Sequence, residues 1–65
     1  MKLDQVKTFA KLKEKGLTQE EVSRKAGISR ATMSFAFNGK SCREDTVKAI
    51  AKAMECRVEE ITAAG

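Results

Sequence analysis

The chain has 65 residues, of which 42% are hydrophobic and 34% are charged, with a formal net charge of +4 and neither proline nor histidine. This length allows one small domain, residues 1–65, and the composition excludes a disordered tail. Since no apolar run approaches the roughly twenty residues that span a bilayer, we expect a soluble, cytoplasmic protein. Apolar residues do not alternate over any useful length, so we predict an all-α fold.

The positive charge is concentrated in the first part of the chain. Residues 1–17 carry five lysines and two acids, and residues 18–40 carry four cations and two acids. Residues 41–65 carry four cations and five acids. This placement favours a polyanionic partner, because neutralised phosphates supply much of protein–DNA affinity. A merely solvated face is the alternative.

The first predicted helix covers residues 4–15. Its hydrophobic side chains recur at helical spacing, with lysines elsewhere, and we expect them to face the core. The residues of this stripe are Leu3, Val6, Phe9, Ala10 and Leu12.

Two short helices joined by a three-residue turn are predicted next. Thr18 and Glu21 form a capping box, in which the hydroxyl accepts an amide at the helix start and the carboxylate reaches back. Gly27 suits the left-handed residue that ends this helix. Ser29 then caps a second helix, and Asn38 marks its end.

The second of these helices has two unlike faces. Met33, Ala36 and Phe37 share the arc that meets the preceding helix. The opposite arc, with Arg30 beside it, suits base edges in the DNA major groove, because arginine bonds guanine and small or aromatic groups touch thymine methyls. Phe35 on that arc has the alternative of a core position if the helix is rotated.

A resemblance to the Cro and λ-repressor-like helix-turn-helix regulators runs through two segments, LTQEEVSRKAGISRATMSFAFNGK and TVKAIAKAMECRVEEI. It implies five helices, a recognition helix at residues 29–38, and a transcriptional repressor that binds double-stranded DNA at a near-palindromic operator as a homodimer. The implied base contacts are Arg30, Ala31, Thr32 and Phe35. The implied phosphate contacts are Gln19, Asn38 and Lys40. We expect Ser29, Ser34 and Arg43 to contact phosphates as well, and Lys40 and Arg43 have the alternative of solvated loop positions. The hydroxyls of Thr32 and Ser34 have the alternative of satisfying local backbone groups.

The chain departs from the family pattern at two places. Leu12 and Phe37 stand where relatives often have arginine and glutamate, so we expect an apolar contact instead of an ion pair. Glu55 stands at the usual glycine before the last helix, and Arg57 at its usual capping serine. These two residues therefore leave the position at which the last helix begins undecided.

Residues 27–41 are also similar to the lac-repressor-like headpiece, which lacks a helix like the one predicted over residues 4–15.

A fourth helix is predicted over residues 46–54. Its start lies either at a capping box of Ser41 and Glu44 or, by the resemblance, near Arg43. A short last helix follows, and relatives often use such a helix to join two subunits. The implied dimer contacts are Cys56, Arg57, Val58 and Ile61.

Catalysis, metal binding and a cofactor are not expected. The chain has no histidine to activate a nucleophile, and Cys42 and Cys56 form no CxxC pair, whereas a structural zinc site needs four ligands. We expect both thiols to be reduced, with a redox switch at Cys42 as the alternative. The competing functional class is an antitoxin or anti-repressor whose main partner is another protein.

Overall fold

The computed structural model describes residues 1–63, which form four α-helices followed by a single 3₁₀ turn. The helices are α1 (Gln5–Lys15), α2 (Gln19–Ala26), α3 (Arg30–Phe37) and α4 (Glu44–Ala53), and the turn is η1 (Val58–Glu60). The all-α prediction is confirmed, but the expectation of five helices is wrong. Ile61 lies one residue beyond η1 and its carbonyl accepts a hydrogen bond from the Asp4 amide at 2.8 Å. The chain therefore leaves the helical path to pair with the N-terminal segment.

The predicted capping residues begin α2 and α3. The Thr18 hydroxyl accepts the Glu21 amide at 3.2 Å, and the Glu21 carboxylate accepts the Thr18 amide at 3.3 Å. Ser29 Oγ accepts the Thr32 amide at 3.1 Å. Gly27 has φ 70° and ends α2 in the left-handed conformation. The starts of α2 and α3 are therefore fixed by hydrogen bonds between residues three positions apart.

The start of α4 follows the family alignment. Arg43 is the residue before the helix, and its side chain makes no capping hydrogen bond. The alternative capping box of Ser41 and Glu44 is wrong, since Ser41 lies in an antiparallel bridge with Lys2.

Three helices end with the same pair of backbone hydrogen bonds. Gly16, Gly27 and Glu55 occupy the left-handed position in these motifs, and Glu55 is the one non-glycine residue with positive φ (54°) within residues 1–63. The Glu55 amide donates to Lys52 and the next amide donates to Ala51, each at 3.0 Å. Glu55 thus takes the backbone conformation that the family's glycine implies.

The hydrophobic core lies between α2, α3, α4 and one side of α1. Its largest fully buried apolar side chains are Val22, Val47, Ile50, Met54 and Ile61. Leu12 and Phe37 are both buried in the same core, as expected for apolar residues at the place of the family's ion pair. No helix within residues 1–63 has the length and apolar character needed to cross a bilayer.

The predicted apolar stripe of α1 is wrong at Val6, Phe9 and Ala10. Val6 is 80% exposed, Phe9 is 46% exposed and Ala10 is also exposed, whereas Thr8 is fully buried. The Thr8 hydroxyl donates to the carbonyls of Asp4 at 2.6 Å and Ile61 at 3.1 Å. These acceptors satisfy the buried hydroxyl, and α1 turns Thr8 and Leu12 toward the core.

Candidate nucleic-acid interface

One face of α3 is open to solvent and the other is buried. Phe35 is 54% exposed, whereas Phe37, two residues later, is 4% exposed. Met33 and Ala36 are buried beside Phe37, and the residues on the outer side are Arg30, Ala31, Thr32, Ser34 and Phe35. The predicted orientation of this helix is confirmed, and the alternative of a core position for Phe35 is excluded.

Contacts from α1 hold the C-terminal end of α3. The side-chain amide of Gln5 donates to the Phe37 carbonyl at 3.0 Å. The Phe9 ring meets the Phe37 ring edge-on, with centroids 5.6 Å apart and planes at 84°. Sequence reasoning missed Gln5, because no local pattern indicates a bond across 32 residues.

An open depression between α2 and α3 brings four predicted contact residues together, one of which is Ala31. Gln19, at the start of α2, lines it with Arg30 and Ser34 from α3. A phosphate placed here would meet an amide, a guanidinium and a hydroxyl. Glu20 lines the same depression and adds a negative charge that sequence reasoning did not place there.

The hydroxyls of Ser29 and Thr32 bind each other. Ser29 Oγ lies within hydrogen-bond distance of Thr32 Oγ1, at 2.8 Å, while it accepts the Thr32 amide at 3.1 Å. Either hydroxyl can supply the proton of this bond, so a phosphate contact by Ser29 or Thr32 must compete with the capping pair.

The loop after α3 carries the remaining predicted phosphate contacts. Asn38, Lys40 and Arg43 are all exposed, and Gly39 turns the chain between them with φ 78°. The Cys42 thiol donates to the Lys40 carbonyl at 3.3 Å, which stabilises the loop. The Arg43 side chain makes no capping hydrogen bond to the first amides of α4.

The exposed cations of α3 and of the loop after it form no ion pair within residues 1–63. The ion pairs found there join Lys11 to Glu14 and Glu60, and Lys48 to Glu44. Arg30, Lys40 and Arg43 take part in none of them, so their charges are available to a partner.

The predicted dimer residues fall into two groups. Ile61 is fully buried inside the monomer, so the expectation that its side chain meets a second subunit is wrong. Arg57 is exposed, and Cys56 and Val58 are half-buried against the core. Burial raises the pKa of the Cys56 thiol, which keeps it protonated at neutral pH.

A family model described as helix-turn-helix matches residues 10–61, from the middle of α1 to the residue after η1. No curated protein and no solved structure matches the chain. The matched region contains all of α2, α3 and α4.

Proposed function

The chain belongs to the Cro/C1-type helix-turn-helix family of DNA-binding transcription regulators, and from this premise we propose that it is a repressor that occupies a near-palindromic operator as a homodimer. The observation that carries the proposal is that α3 has one buried side and one exposed side. Arg30, the first residue of the helix, lies on the exposed side. A helix with that division fits the major groove without losing its contacts to the core.

Sequence readout is assigned to the exposed residues of α3. Arg30 suits a bidentate hydrogen bond to guanine, because its guanidinium is exposed and unpaired within residues 1–63. Ala31 and Phe35 offer apolar contact to thymine methyl groups, and Thr32 offers a hydroxyl group.

Backbone contacts are assigned to both ends of the motif. Gln19 and Ser34 reach one phosphate from the depression between α2 and α3. Asn38, Lys40 and Arg43, which are all exposed, contact the phosphates beside the loop after α3. Ser29 is assigned a minor part because its hydroxyl is engaged with Thr32.

In the proposed complex, two subunits bind one operator. In this arrangement the two α3 helices lie about 34–36 Å apart along the duplex, so that each enters a successive major groove on one side of the DNA. The proposed subunit contacts are Cys56, Arg57 and Val58.

Selection of bound duplexes from a random pool, with the purified 65-residue chain, tests this function. We expect enrichment of two inverted half-sites whose centres are separated by about 10–10.5 base pairs. Enrichment of a single half-site would contradict the dimer, and enrichment of no sequence would contradict the proposed function.

A protein-binding module, such as an antitoxin or anti-repressor, is the second candidate. It is favoured by the exposed apolar side chains of Val6, Phe9 and Ala10 on α1, since such patches often mark protein contacts. A toxin gene beside the gene for this chain, together with no duplex enrichment in the selection, would favour this candidate.

A further inference from the structure

The N-terminal segment, residues 1–4, lies against the loop that follows α3. Lys2 forms an antiparallel bridge with Ser41, and the Cys42 amide donates to the Met1 carbonyl at 2.6 Å. These bonds place Lys2 beside a loop that already carries three predicted phosphate contacts, Asn38, Lys40 and Arg43.

The other edge of the segment is attached to the end of the described chain. Leu3 bridges Thr62, the Asp4 amide donates to the Ile61 carbonyl at 2.8 Å, and the Ala63 amide donates to the Lys2 carbonyl at 3.4 Å. Backbone bonds on both sides therefore hold Lys2 in place. Binding a ligand with this side chain orders only the side chain, which lowers the entropic cost.

Alternation along the segment directs the Lys2 side chain outward. Leu3 is 3% exposed and points into the core, so its extended neighbour Lys2 points to the opposite face. Across the bridge the same alternation holds, because Ser41 is exposed and Cys42 is half-buried against the core. Residues paired in a bridge share one face, with Cβ atoms about 4.5–5.5 Å apart. Lys2 and Ser41 therefore emerge side by side into solvent.

Three exposed cations are therefore carried by the N-terminal segment and the loop after α3. Lys2, Lys40 and Arg43 are all exposed, and none of them takes part in an ion pair within residues 1–63. Two acids, Glu44 and Asp45, follow Arg43 in the first turn of α4, and Glu44 is paired with Lys48 at 3.5 Å. This arrangement leaves the three positive charges without a partner in the described part of the chain.

We propose that Lys2 contacts a DNA phosphate, so that the N-terminal segment and residues 40–43 form one continuous phosphate-binding edge. This inference rests on the proposed function and extends it to a segment outside the matched residues 10–61. An ammonium group at this edge neutralises a phosphate without reading a base, so its contribution is the same for every sequence.

Replacement of Lys2 by glutamine tests the contact through the salt dependence of DNA binding. Lys2→Gln removes the charge but keeps the backbone bridge, and Lys52→Gln, in the last turn of α4, removes an equal charge elsewhere. We measure binding of the selected operator and of an unrelated duplex at several salt concentrations. For Lys2→Gln the slope of log K against log salt should become shallower by about 0.9, equally on both duplexes. Lys52→Gln and Lys2→Arg should keep the wild-type slope.

Two results would overturn the inference in different ways. Equal slopes for Lys2→Gln and the wild-type protein, with operator binding intact, would remove the Lys2 contact and leave the proposed function standing. Failure of the wild-type protein to bind any duplex would remove both. Melting temperatures of all variants, expected to lie close to that of the wild-type protein, establish that a changed slope does not come from unfolding.

Discussion

The side-chain amide of Gln5 donates a hydrogen bond to the carbonyl oxygen of Phe37 at 3.0 Å. Gln5 is the first residue of α1 and Phe37 is the last residue of α3. The last carbonyls of a helix have no partner within the helix, so this bond satisfies one of them. It also attaches the C-terminal end of α3 to α1.

Replacement of Gln5 by alanine should lower the free energy of unfolding by about 0.5–1.5 kcal/mol, the usual net value of one hydrogen bond. Urea denaturation measures this change. Gln19→Ala is the matched control, because Gln19 is also the first residue of its helix but makes no side-chain hydrogen bond within residues 1–63. The control should unfold like the wild-type protein and bind DNA more weakly. Equal loss of stability in both variants would contradict a special role for Gln5.

Phe35 and Phe37 should respond differently to the same substitution. Phe35→Ala removes an exposed ring and should weaken operator binding while the melting temperature stays nearly constant. Phe37→Ala empties a core position and should cost about 3–5 kcal/mol, enough to unfold much of a small domain. Thermal denaturation followed by circular dichroism, together with DNA titration, separates the two effects. A large fall in melting temperature for Phe35→Ala would count against its role at the DNA surface.

Arg30 and Lys40 should differ in what they contribute to DNA binding. Arg30→Ala should cost about 1–3 kcal/mol on the preferred operator and relax the preference at one base pair. Lys40→Ala should weaken binding to all duplexes and make the salt slope shallower by about one unit. Titrations with a panel of single-base operator variants measure both effects. Identical patterns for the two variants would contradict the assignment of base readout to Arg30.

Glycine at position 55 should stabilise the protein. Glu55 has φ 54°, a conformation that costs an L-residue about 1–2 kcal/mol. Relief of this cost outweighs the added chain entropy of glycine, about 0.5–1 kcal/mol. Glu55→Gly should therefore raise the free energy of unfolding by about 0.5–1 kcal/mol, which is measured by urea denaturation. Glu55→Ala also removes the carboxylate but keeps Cβ, so it should lack the gain. The same gain in both variants would point to charge and not to backbone strain.

Acid should destabilise the protein partly through Glu60. The Arg57 amide, which donates to the Glu60 carboxylate at 2.7 Å, and Lys11, at 3.1 Å, hold the pKa of Glu60 below its ordinary value of 4.5. A lowered folded-state pKa gives stability that is fully present above 4.5 and is lost as pH falls through the folded-state pKa. Melting temperatures measured from pH 7 downward should therefore fall less steeply for Glu60→Gln than for the wild-type protein.

Glu59→Gln is the control for this pH experiment, because Glu59 makes no side-chain hydrogen bond or ion pair within residues 1–63. It should retain the wild-type loss in acid. A wild-type acid response in Glu60→Gln would show that the other carboxylates account for it.

The features that sequence reasoning predicted correctly depend on neighbours a few residues apart. The capping box joins Thr18 to Glu21, and Ser29 reaches the Thr32 amide, so each helix start is encoded within one turn. The left-handed residue at Gly27 is a property of glycine itself. The exposed position of Phe35 follows from helical periodicity, since Met33, Ala36 and Phe37 supply a sufficient buried side.

Periodicity was not sufficient for α1, because that helix carries more hydrophobic residues than its buried side accommodates. The side that faces the core carries Thr8, whose hydroxyl donates to the Ile61 carbonyl 53 residues away. The shortened last helix has a similar origin, since the Ile61 carbonyl pairs with the Asp4 amide.

The sequence by itself therefore determined where α2 and α3 begin and end and which side of α3 is exposed. Local hydrogen bonds and side-chain spacing suffice for those features. Only the tertiary structure decided the rotation of α1, the Gln5 bond to Phe37, and the position of Lys2 beside the loop after α3. Each of these depends on a backbone group more than 30 residues away, whose position is defined only once the core has formed.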